Sequence, residues 1–144
     1  MVCHLFGVHL PLNSREENNP NTLGNLTRRK VLGNSHVDLA NKLTTDFDAP
    51  FQELITSAAW EKVWSRPHLT LRERSMITLA LLAAMGHEEE FAMHLKATAN
   101  TGATKEDISE VLLHVAIYAG VPAANSVIKI AKKTYEEMEG GSCN

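Results

Sequence analysis

The chain has 144 residues, 44% hydrophobic and 22% charged, with 14 basic and 17 acidic residues giving a formal net charge of −3. That is one domain's length, with enough apolar residues for a single core. The charge balance lacks the basic excess of a nucleic-acid binder, and no charge block suggests an acidic or basic tail.

The chain opens on MVCHLFGVHLPLN. No basic residues precede this apolar run, and His4, His9 and Pro11 interrupt it, which argues against a signal peptide. No stretch of about 18 uninterrupted apolar residues exists, so no membrane span is expected. Cys3 and Cys143 lie near opposite ends and make no CxxC, which excludes a vicinal redox dithiol and a zinc ribbon. A reduced, cytoplasmic protein is a simpler reading than a disulfide joining the ends. Residues 13–25 are polar and rich in Asn. Residues 1–25 therefore read as a flexible N-terminal extension ahead of a helical domain over 26–144.

From residue 26 onward the signals are helical. A short helix over Leu26–Leu32 closes at Gly33, and a weaker one covers roughly Ser35–Leu43. Asp48 is placed to cap a third, with Pro50 in its first turn. Phe51, Leu54, Ile55, Ala58 and Ala59 supply its apolar positions, and Trp60 and Trp64 lie one turn apart before Pro67 stops it. Thr70 and Glu73 form a capping box. It opens the most apolar helix, ITLALLAAM, which closes at Gly86 and is expected to be buried on most faces against protein. The helix containing HEEEFAMH follows and ends at Gly102. Thr104 and Asp107 make a second box, opening a helix through Tyr118 that stops at Gly120, and Pro122 opens the last helix. The expected architecture is all-α, a single-domain bundle of about six or seven helices joined by short loops.

His87, Glu90, Phe91 and His94 share one helical stripe. The two histidines are two turns apart, about 10.5 Å of rise, whereas helical metal pairs sit at i,i+3 or i,i+4. No metal is expected there. His87 reads as a helix-start residue at the solvent edge, and Glu88 and Glu89 as charges favoured by the helix dipole. His94 lies among Phe91, Met93, Leu95 and Ala97. It is either a core histidine or a neutral imidazole poised for acid–base work. His114 shares a face with Val111, Val115 and Tyr118, and the same two readings stand. Two histidines and a tyrosine on consecutive helices favour a shared polar pocket, because isolated buried polar groups are costly. Arg72 and Arg74 sit in the first turn of the apolar helix, where cations oppose the dipole. Either a bound anion or an acidic neighbour, Glu73 included, offsets them.

The stretch GHEEEFAMHLKATANTGATKEDISEVLLHVAIYAGVPAANS resembles the carboxymuconolactone decarboxylase family. RRKVLGNSHVD, FQELITSAAWEKVWSRP and LRERSMITLALLAAM fit the same pattern, so the resemblance covers about residues 26–138. HLKATANTG followed by IYAGVPAAN is its most specific part. The resemblance implies the all-helical fold of the alkylhydroperoxidase D type proteins. Those carry E-x11-C-x2-C-x3-H, and counting back from His94 places their cysteines at Glu90 and His87 and their glutamate at Ser75. Only the histidine of that relay is kept, which argues against thiol-based peroxide reduction.

The resemblance further implies loss of CO2 from 4-carboxymuconolactone to give 3-oxoadipate enol-lactone, within protocatechuate breakdown by the β-ketoadipate pathway. The substrate carries its own electron sink, so no cofactor is implied. On this reading Arg72 and Arg74 hold substrate carboxylates and His94 donates the proton or hydrogen-bonds the lactone oxygen. His114 and Tyr118 line the same pocket, and Glu90 orients a histidine. The implied assembly is a homo-oligomer, a hexamer built as a trimer of dimers. Three alternatives stay open: a redox relative using Cys3 or Cys143, a non-catalytic oligomeric module binding small acids, and a metal-dependent variant.

Overall fold

The computed structural model describes residues 22–140. The expectations placed on residues 1–21, and on Cys3 and Cys143, lie outside the described residues. The elements are α1 (Leu23–Leu32), α2 (Asn34–Leu43), α3 (Ala49–Ile55) running into a π-helical stretch (Thr56–Trp64), α4 (Leu71–Met85), α5 (Glu88–Lys96), α6 (Thr98–Thr101), α7 (Lys105–Tyr118) and α8 (Val121–Gly140). The fold is all-α, as the sequence predicts. The helix count exceeds the expected six or seven, because the short α6 is a separate element after a break at Ala97.

Helix α4 packs with α5, α7 and α8 around Leu79, Ala83, Phe91, Leu95, Ile108, Leu112 and Val127. A second, smaller core joins α1 to the π-helical stretch around Val31, Trp60, Trp64 and Ala97. Helix α1 begins three residues earlier than its apolar spacing predicts, so residues 23–25 belong to the helical domain. The Thr22 hydroxyl accepts from Asn25 N–H at 3.3 Å and caps the added turn. Gly24 within that turn explains the close packing: a Cβ there would lie 2.5 Å from the Thr56 carbonyl oxygen. Only a residue without a side chain lets α1 rest on the π-helical backbone.

Asp48 does not cap α3. Its Oδ1 instead accepts from Thr45 N–H at 2.7 Å and Thr45 Oγ1 at 2.8 Å, closing the preceding turn. Beyond Ile55 the helix widens, and Ser65 N–H donates to the Trp60 carbonyl five residues back at 3.1 Å. Trp60 and Trp64 emerge side by side, with ring centroids 5.2 Å apart. Both capping boxes form. Thr70 and Glu73 open α4, Thr104 and Asp107 open α7, and Gly86 closes α4 at φ 73°.

The expectation that α4 is buried on most faces fails within one chain. Its buried positions are Arg74, Ser75, Leu79 and Ala83. Ile77, Leu81 and Met85 are exposed, Leu81 by 57%, and α7 adds Leu113 and Ile117, the latter 78% exposed. The described helices cover a single side of α4, and its other apolar side is exposed among the described residues.

Candidate active site

Trp60 and Trp64 form a wall because the π-helical stretch presents both indoles on one face. Helix α5 lays His94 against that wall. The imidazole centroid lies 6.2 Å from Trp60 at 20° and 6.0 Å from Trp64 at 14°, nearly parallel to both rings. The buried Nδ1 has no hydrogen-bond partner among the described residues. Burial drives the His94 pKa down to about 4, the charge of His36 pushes the same way, and Glu90 opposes them. The free site therefore presents a neutral imidazole at neutral pH.

Two buried arginines lie on the helices that pack against this cluster. Leu71 packs against it, and Arg74, one turn further along α4, is buried on the same side. Arg74 Nη2 donates to the Arg66 carbonyl at 2.8 Å, just past the π-helical stretch, and its buried Nε has no partner. Arg28 lies one turn before Val31 of the same cluster and is 6% exposed. Its Nη2 donates to Gln52 Oε1 at 3.1 Å, and its Nε is likewise unpartnered. Burial and the neighbouring Arg29 both lower the Arg28 pKa. The His36 pKa is lowered by partial burial and by the charge of Arg28.

Of the residues singled out from sequence, the chain brings His94 to this cluster, with Glu90 exposed near it, while Arg74 is buried on α4 one turn past Leu71. It does not bring Arg72, His114 or Tyr118 there. Arg72 Nε donates to Asp107 Oδ2 at 2.7 Å and ties α4 to the start of α7. Arg72 and the capping contacts of Thr104 hold the Asp107 pKa down to about 2. That pair realises the acidic-neighbour reading, with an acid 35 positions away in place of Glu73. His114 and Tyr118 stack on each other at 6.2 Å on the outer side of α7, where Tyr118 is 86% exposed. His114 borders a hollow of about 280 Å³ with Met76, Ile77, Ala80, Glu110 and Val111.

Sequence reasoning missed Arg28, His36 and Gln52, and did not see the two tryptophans as the wall of a site. The available signal was the helical spacing from Arg28 to Val31 within RRKVLGNSHVD. Ser75, at the glutamate position of the peroxidase relay, is buried and hydrogen-bonded to Thr101 Oγ1 at 2.7 Å. Among the described residues no three His, Cys, Asp or Glu side chains converge as metal ligands.

Among the described residues this helical bundle offers a neutral, half-buried histidine on an indole wall and two buried arginines that make no ion pair. A profile of the Carboxymuconolactone decarboxylase family matches residues 49–133. The 4-carboxymuconolactone decarboxylase of Acinetobacter baylyi is 41% identical over 111 residues, 77% of this chain and 83% of that relative. Nitrosuccinic acid decarboxylase npaB of Metarhizium robertsii is 38% identical over 111 residues, 77% of this chain and 78% of that relative. An uncharacterised 15.0 kDa protein of Paracoccus denitrificans is 27% identical over 80 residues, 54% of this chain and 60% of that relative. The chain belongs to the carboxymuconolactone decarboxylase family, and its enzyme class is that of the decarboxylases, the carboxy-lyases.

Proposed function

We propose that the chain decarboxylates 4-carboxymuconolactone to 3-oxoadipate enol-lactone, without a cofactor, at the Trp60–Trp64–His94 cluster. The observation that carries this reading is a neutral imidazole, its Nδ1 unsatisfied, stacked on two indoles. In the reaction the bond from ring carbon to carboxylate breaks and CO2 leaves. The electron pair passes through the ring double bond to the lactone carbonyl, giving a dienolate that takes a proton on carbon. The indole wall favours the neutral product CO2 over the ionised acid. Arg74 holds a carboxylate, and its unpartnered Nε is available for that bond.

His94 starts neutral. A bound anion favours its protonated form, so substrate binding raises its pKa and draws a proton into the site. His94 then hydrogen-bonds the lactone oxygen as charge develops there, or delivers the proton to carbon. Glu90 stabilises the imidazolium from the rim. Arg72 can serve substrate only by giving up Asp107. His114 and Tyr118 reach a site only where a second chain covers the exposed α4–α7 face. That apolar face supports a homo-oligomer, for which we propose a hexamer arranged as a trimer of dimers. Operation within protocatechuate catabolism, in the cytoplasm, extends the same reading.

The 38% identity to a nitrosuccinic acid decarboxylase favours one further substrate. A nitro group and a lactone carbonyl are both electron sinks, so the same apparatus suits either acid. Measuring CO2 release from 4-carboxymuconolactone and nitrosuccinate in parallel decides between them. The reading requires the lactone to give the higher kcat/KM, and failure of the lactone to release CO2 overturns it.

A further inference from the structure

Arg28, His36 and Gln52 have no part in the steps above. Arg28 is a buried cation whose observed side-chain partner is a neutral amide, and among the described residues it makes no ion pair. Asp38 of α2 pairs with the neighbouring Arg29 at 2.7 Å. A buried charge without a counter-ion is strongly destabilising, and a bound anion removes that cost. His36 lies close enough to sense the charge of Arg28 and to act on His94 in turn. Arg28 stands on α1 one turn before Val31, which packs against Trp60 and Trp64, so α1 carries the guanidinium toward the side of the indole wall. Gln52 holds the guanidinium from one side and also borders a hollow of about 230 Å³ between α2 and α3, with Asn41, Thr44 and Ala49. The group that holds Arg28 is therefore reached from solvent.

A dicarboxylate that loses one carboxylate places opposite demands on its site. The departing group needs an apolar wall, and the retained group needs a cation. We propose that Arg28, held by Gln52 and flanked by His36, anchors the carboxylate that the substrate retains, so that the enzyme selects dicarboxylates over monocarboxylates. This rests on the decarboxylase reading of the same site. It directs the departing carboxylate toward Trp60 and Trp64.

The chain's two tryptophans are Trp60 and Trp64, so intrinsic fluorescence reports on this cluster directly. The full chain is titrated with succinate, which lacks an electron sink and does not react, and with propionate. Succinate is expected to perturb the emission and to bind at least about tenfold more tightly than propionate, the scale of one charge-assisted hydrogen-bonded contact. Arg28→Gln should weaken succinate about tenfold or more and leave propionate nearly unchanged, while Arg28→Lys restores part of the loss. His36→Gln, at an exposed position, should weaken succinate a few-fold with unaltered far-UV circular dichroism. Equal affinity for the two acids in the wild type overturns the proposal. So does the absence of any succinate response, or succinate affinity within twofold of wild type in a folded Arg28→Gln chain. Should Arg28→Gln not fold, wild-type selectivity and the His36→Gln titration decide. The two readings fail separately. Lactone turnover with an unchanged KM in Arg28→Gln removes the anchor and keeps the decarboxylase. Arg28-dependent succinate binding without turnover of either acid removes the decarboxylase.

Discussion

Replacing His94 by glutamine should remove a specific acid sensitivity of the fold. The His94 pKa falls from the ordinary 6.5 to about 4 because the ring is buried against Trp60 and Trp64. Between these values the unfolded chain binds a proton that the folded chain does not, so stability drops as pH falls from 6.5 toward 4. It is constant, for this group, above and below that window. At about 1.4 kcal/mol per pH unit, the whole interval amounts to roughly 3 kcal/mol, of which about 2 kcal/mol lies above pH 5. The carboxylates held below their ordinary range, Asp107 and Glu73 among them, lose their contribution only at lower pH. Urea midpoints at pH 7 and pH 5, at one fixed protein concentration because subunit association is expected, give the two stabilities. The wild type should lose about 2 kcal/mol on acidification, and His94→Gln should lose much less. His36, also lowered, contributes with the same sign in both chains, so the difference between them isolates His94. An equal loss in the two chains, or a wild type more stable at pH 5, refutes the burial argument.

Gly24→Ala should destabilise by about 1–3 kcal/mol in thermal or urea unfolding, since the added Cβ meets the Thr56 carbonyl at 2.5 Å. Asp107→Ala removes both the α7 capping bond and the partner of Arg72, and should lower the unfolding midpoint in the same assays. Leu81→Lys and Ile117→Glu put charge on the outward apolar face of α4 and α7. Sedimentation should show each variant as a smaller species than the wild type, and an unchanged sedimentation coefficient removes that face as an interface.

The parts of this fold that were legible in the sequence are those set by neighbours a few residues apart. The two capping boxes and the glycine ending α4 are local patterns, and each forms as read. Asp48 had two local uses, and the turn before α3 prevailed over the cap. The widening of the helix after Ile55 has no compositional mark, so the two indoles read only as neighbours one turn apart on an ordinary helix. The surroundings of Arg72 and Arg28 are not legible in the sequence for a common reason. Whether an arginine is spent on a carboxylate or left unpaired in a site depends on tertiary neighbours: Asp107 lies on another helix, and the burial of Arg28 depends on Gly24 bringing α1 onto Thr56. The all-round apolarity of α4 was read correctly as a pattern, yet the described helices cover only one side of it.

Under the proposed function, His94 on the Trp60–Trp64 wall performs the proton chemistry of a decarboxylation. The most direct measurement compares kcat for CO2 release from 4-carboxymuconolactone by wild type and by His94→Gln, with folding verified by circular dichroism. Positioned acid–base groups contribute roughly 10²–10⁴-fold, so the account predicts a loss of about a hundredfold or more. A folded His94→Gln chain that keeps kcat within about threefold of wild type contradicts it.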